Sequence, residues 1–133
     1  MKQTLQVVFI LLAVSIPVLA HHALASEYDS EKPITLKGKL MEIDWRNPHP
    51  YFYVDVEGTN GQMTKWAIVS ATPNMLVRFP GGWTRDKVFA KIKDEISVKG
   101  WKARDDSNRA YADYLTFSDG SKMQMGIGLT GAE

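Results

Sequence analysis

Three histidines are the residues of this chain best suited to chemistry, and they fall into a pair, His21-His22, and a single, His49. Imidazole is the commonest side-chain metal ligand and suits copper, zinc and nickel. His49 lies in Asp44-Trp45-Arg46-Asn47-Pro48-His49-Pro50. A residue before proline is pushed to extended angles, so neither Asn47 nor His49 is helical and the imidazole is expected on a stiff loop. A mature chain beginning at His21 would add its α-amine, a side-chain nitrogen of His21 or His22 and a deprotonated amide. That nitrogen-rich set favours Cu(II), which heads the divalent affinity order. The expected metal site is therefore His21, His22 and His49, with copper as the ion. The plainer alternative leaves the pair as a solvated terminus and His49 as a residue that caps its turn.

A second candidate is an aromatic groove beside the same loop, made by Trp45, Arg46, Asn47, Tyr51 and Trp66, which could hold a small ligand or a protein segment. Stacking on such rings is also how single-stranded nucleic acids are held. Charge argues against that use, and most of the rings are expected to serve as core and lid. The carboxylates Asp44, Asp55 and Glu57 fall at strand ends, where exposed charge is the ordinary explanation. No Gly-x-Ser-x-Gly, His-Glu-x-x-His or phosphate-binding loop is present, so no catalytic residues are assigned.

The first residues set the compartment. Met1-Lys2-Gln3 is followed by an apolar run from Leu5 to Ile16, a break at Pro17 and the small residue Ala20. A basic start, an apolar stretch too short to anchor in a bilayer and a small residue at the end form a signal-peptide pattern. Cleavage after Ala20 leaves His21 first, and keeps the three regions compact. Cleavage after Ala25 would remove both His21 and His22. An exported protein, periplasmic or secreted and without a membrane anchor, is the expectation. The 16 basic and 15 acidic side chains become 15 and 15 once Lys2 leaves with the leader, and they are interspersed. A neutral surface without a basic run argues against nucleic acid. With no cysteine, neither disulfides nor thiolates are available, so about 110 residues must form one self-supporting core.

The elements that must position the loop follow from periodicity. Residues 21–33 show no period and read as an extended arm. Ile34, Leu36, Gly38 and Leu40 alternate, then Met41, Ile43 and Trp45 change parity, which requires an inserted residue near Leu40-Met41. Such a bulge lets one long strand coil and serve both halves of a barrel. Tyr51–Val56 and Met63–Ser70 form a hairpin around Asn60-Gly61. Thr72 then caps a helix with Pro73 at its first position, ended by Pro80-Gly81-Gly82, and Thr84 caps a second short turn. Glu95–Lys102 and Tyr111–Phe117 supply strands four and five. Three strands, a helical connection and two strands give an OB-like five-stranded barrel over 34–125, with 126–133 as a flexible tail. The arm poses a distance problem, because a strand from Ile34 to Trp45 spans about 38 Å before coiling, and the arm must fold back to bring the histidines together.

Five blocks carry a resemblance: His21-His22-Ala23-Leu24-Ala25-Ser26-Glu27-Tyr28-Asp29, Ile34-Thr35-Leu36-Lys37-Gly38, Trp45-Arg46-Asn47-Pro48-His49, Ser70-Ala71-Thr72-Pro73-Asn74 and Gly82-Trp83-Thr84. Together they resemble an uncharacterised family of small exported bacterial proteins, a domain of unknown function, over about residues 21 to 120. The His-His start and the Trp-x-Asn-Pro-His block are its specific parts. The segment Val88–Lys93 departs from it, standing where a Pro-Gly turn is expected. The resemblance implies a periplasmic protein cleaved before His21, and it implies no reaction. The reading is a small periplasmic binding domain, with a small ligand or periplasmic protein as its other possible partner.

Overall fold

The computed structural model describes residues 23–129, so the expected leader at 1–20, His21, His22 and residues 130–133 lie outside the described residues. The segment expected as an extended arm is extended only from Tyr28 on, where it belongs to the first strand. Residues 23–27 form a short helix, α1, and β1 (Tyr28–Asp44) begins directly after it. A five-residue helix is too short to be stable alone, and its support comes from burying Leu24 with Tyr28, four positions on.

Along β1 the expected alternation appears, deepening to Leu40, which is fully buried. Parity changes where an extra residue was expected: Leu40 pairs with Val54 but Glu42 pairs with Tyr53, which leaves Met41 as the insertion. From Lys39 onward β1 pairs with β2 (Tyr51–Glu57), and up to Lys39 with β4 (Glu95–Ala103). β2 pairs with β3 (Met63–Val69), and the end of β3 runs parallel to the start of β5 (Arg109–Phe117), which returns on β4. Five strands thus close a ring in the order β1-β2-β3-β5-β4, the connectivity of an OB-like fold. A sixth strand beyond the five counted, β6 (Lys122–Gln124), returns after Asp119-Gly120 and covers the second half of β5.

The connection between β3 and β4 carries α2 (Pro73–Arg78) and α3 (Arg85–Phe89). Thr72 Oγ1 accepts from Met75 N at 3.3 Å and Thr84 Oγ1 from Lys87 N at 3.4 Å, so both caps act as read. Leu76 and Val88 face into the ring, and Trp83 packs on Phe117 with ring centroids 5.3 Å apart. These residues join Leu40, Phe52, Val54, Ile68, Val98 and Leu115 in the main core. A smaller cluster forms on the outer face, where Leu24, Tyr28, Val69, Ala103, Tyr111 and Leu129 meet. Leu129, expected in a flexible tail, is 5% exposed and packs as part of this cover. Among the described residues no helix is long and apolar enough to cross a membrane.

Gly100 lies where the register of β4 against β5 shifts. A Cβ there would run into the Tyr111 carbonyl and come within 2.8 Å of Ala112 Cα, both backbone groups that cannot move aside alone. Gly100→Ala is expected to destabilise the fold by about 1–3 kcal/mol, read from urea unfolding, as for an overpacked interior.

Candidate functional site

The loop after β1 is fastened at Ser70, which is fully buried at the end of β3. Ser70 N donates to Pro50 O at 3.3 Å, and the Ser70 carbonyl lies 2.8 Å from His49 Nδ1. A carbonyl only accepts, so Nδ1 carries the hydrogen and the neutral ring keeps its free lone pair on Nε2. Metal-ligating histidines are commonly oriented in this way, by a backbone carbonyl that holds the other nitrogen. The Asn47-Pro48 peptide is cis. His49 itself is half-buried.

His49 lines a cavity of about 270 Å³ together with Pro48, Tyr51 and Val69 from the ring and Ala23, Leu24, Glu27 and Tyr28 from the arm. The arm thus does reach the loop, and it need not retrace the strand. Because β1 coils around a closed ring, its start returns beside its end. Tyr28 pairs with Ala103, Trp101 of that strand with Tyr111, Tyr111 with Val69, and Val69 with Tyr51. Polar contacts then hold the arm in place. The Arg104 guanidinium donates to Ala25 O at 3.3 Å, Arg104 N to Glu27 O at 2.9 Å, and Arg109 pairs with Glu27 at 3.5 Å. Ala23, the chain neighbour of His22, is therefore fixed at the wall of the cavity that His49 lines.

Residues 8–112 match the sequence pattern of a family of unknown function (DUF6152). The chain belongs to that family. A search of curated proteins finds no match. Membership assigns the DUF6152 chain no ligand, so its site must be judged from geometry. His21 and His22 lie outside the described residues. Among the described residues no three histidine or acidic side chains are grouped to hold a metal, and His49 needs further donors.

The other site residues read from the sequence are not gathered into one groove. Trp66 pairs with Val54 and faces the ring interior, half-buried against the main core. Tyr51 projects from the opposite face of the sheet, beside the outer cluster, and stacks with Tyr53 at 6.5 Å. Trp45 meets Phe89 of α3 edge-on at 6.5 Å. The Arg46 guanidinium lies 4.3 Å from the Tyr51 ring centre, with its Nε 3.1 Å from Asp44, and Asn47 is exposed. Only Tyr51 of these five shares the cavity with His49.

Sequence reasoning missed Leu24, Glu27 and Tyr28. The Leu24-to-Tyr28 spacing of four, without an intervening Gly or Pro, was a helical-face signal that could have found them. Burial pushes the Tyr28 phenol well above the usual tyrosine range, Arg109 opposes that shift, and Tyr51, Glu27 and Asp105 add to it.

Proposed function

We propose that this DUF6152 protein is an exported binding domain in which a mature terminus at His21, carried to the ring by α1, chelates Cu(II) and His49 completes the coordination. The observation that carries this reading is that His49, with Nδ1 committed to the Ser70 carbonyl, lines the same cavity as Ala23. Two observations support it: an oriented imidazole, and an arm whose Ala23, two positions after His21, lines the same cavity. Preorganisation matters because the cost of ordering the arm is met in folding, so less of the binding energy is spent on it.

The role is that of a binding protein in the periplasm, and copper is the ion that the nitrogen set favours. The aromatic-groove reading loses ground, because its residues point to opposite faces of the sheet. Intact mass of the exported protein with and without Cu(II) tests the proposal at its first step. The expected chain begins at His21 and takes up one copper ion. A chain beginning at Ser26 would lack two of the three nitrogen side chains and overturn the site.

A further inference from the structure

A second cavity, of about 290 Å³, lies where the start of β1 meets β4 beside β5, and it shares no lining residue with the cavity of His49. Pro33 and Trp101 are apolar walls, and Lys99 and Asp113 are its charged groups. Asp113 is there because β5 carries an extra residue. Gly100 pairs with Ala112 and Lys99 with Tyr114, which leaves Asp113 as the bulge. Ala112 and Leu115 both belong to the main core, so Asp113 and Tyr114 between them are both turned to the outer face, the face of Lys99 and Trp101. Bulges commonly re-aim a side chain in this way beside functional sites.

The Asp113 carboxylate is half-buried and takes no hydrogen bond among the described residues. Burial pushes its carboxyl up from the ordinary value, and the Lys99 and Lys122 charges oppose that shift without donating a hydrogen bond to it. Lys122 is held elsewhere, its Nζ 3.9 Å from the Tyr114 ring centre. A carboxylate partly withdrawn from water without a donor is under-satisfied, and a lysine that does not close on it is available to an anion. Trp101 is stacked on Tyr111 at 6.2 Å, which fixes its indole as a wall, and indole is the best aromatic surface for a cation.

These three groups select a ligand by its charge. A simple cation is repelled by Lys99 and a simple anion by Asp113, whereas a molecule that carries both charges on an apolar body matches all three. We propose that this cavity binds a small zwitterion, an apolar α-amino acid or a betaine, with its ammonium on Asp113, its carboxylate on Lys99 and its apolar part against Trp101. The proposal does not depend on the copper reading.

The test is isothermal titration of the full exported chain with leucine and with glycine betaine, in the presence of EDTA because amino acids chelate copper. Leucinamide and 4-methylpentanoate, which keep one charge of leucine each, are titrated beside them. At least one zwitterion should bind saturably at millimolar concentration or below, and amide resonances should shift at Lys99, Trp101 and Asp113. Leucine binding assigns a free amine and betaine binding a quaternary one, and either supports the site. If leucine is the ligand, each single-charge analogue should bind about ten-fold or more weakly, the loss expected for one charged hydrogen bond. Asp113→Asn and the exposed Lys99→Gln should each weaken the bound zwitterion by a similar factor. The melting temperature of Asp113→Asn should hold, because the substitution removes a charge that burial disfavours. Binding of neither zwitterion at millimolar concentration, equal binding of leucine and a single-charge analogue, or wild-type affinity in either variant overturns the proposal.

Discussion

Replacing Trp83 with alanine should destabilise the protein by about 3–5 kcal/mol, the cost of emptying a buried aromatic site. Trp83 is 3% exposed, and its ring lies between the helical connection and Phe117. Its backbone N–H donates to Leu76 O at 3.2 Å, so the chain entering α3 is fixed at the residue whose side chain plugs the core. Lys87 sits 4.7 Å above the ring, which adds a cation–π contact and shields the indole from water. The indole Nε1 is buried without a partner among the described residues, which places the variant toward the lower end of the range. Because a domain of this kind is stable by only about 5–15 kcal/mol, the loss should be plain in urea unfolding at 25 °C. Trp66→Ala should cost less, about 1–2 kcal/mol, since that ring is half-buried. Equal losses at the two positions would mean that Trp83 does not plug the ring.

The contrast between these tryptophans shows what could be read from the chain. Alternation correctly places Trp66 beside Ile68 on the inner face, but periodicity cannot say how much cover a side chain receives. Local signals were sufficient for the bulge at Met41, the caps at Thr72 and Thr84, and the helical connection between β3 and β4. Each is determined within a few residues. Elements held by distant contacts were not legible. β6 is a three-residue local hairpin on β5, whereas α1 exists because Leu24 and Tyr28 find Val69, Tyr111 and Leu129. The packing of Leu129 has the same origin.

The site divides along the same line. The stiffness of the His49 loop follows from its flanking prolines and is local. The partner of His49 is Ser70, 21 positions away, delivered by the β2–β3 hairpin, and no spacing in the chain announces it. The supposed groove failed for a related reason. Trp66 and Tyr51 lie on opposite faces of the sheet, and Trp45 lies beyond the end of β1 against Phe89, a contact set by the distant helical connection.

His49→Ala is the measurement that bears most directly on the copper site. The variant should bind Cu(II) at least ten-fold more weakly than wild type, equivalent to about 1.4 kcal/mol or more. Without metal it should lose only about 1 kcal/mol of stability, because the Ser70 carbonyl gives up the partner that lies at 2.8 Å. Wild type should also melt at a higher temperature as free Cu(II) rises, since an ion bound only by the folded chain stabilises it by mass action, and the variant should show less of this effect. A titration of Cu(II) into wild type and His49→Ala, both with the terminus verified as His21, decides the matter. The account predicts dissociation constants that differ by ten-fold or more. Identical constants would show the terminus chelating copper alone and would contradict a site built between the arm and the loop.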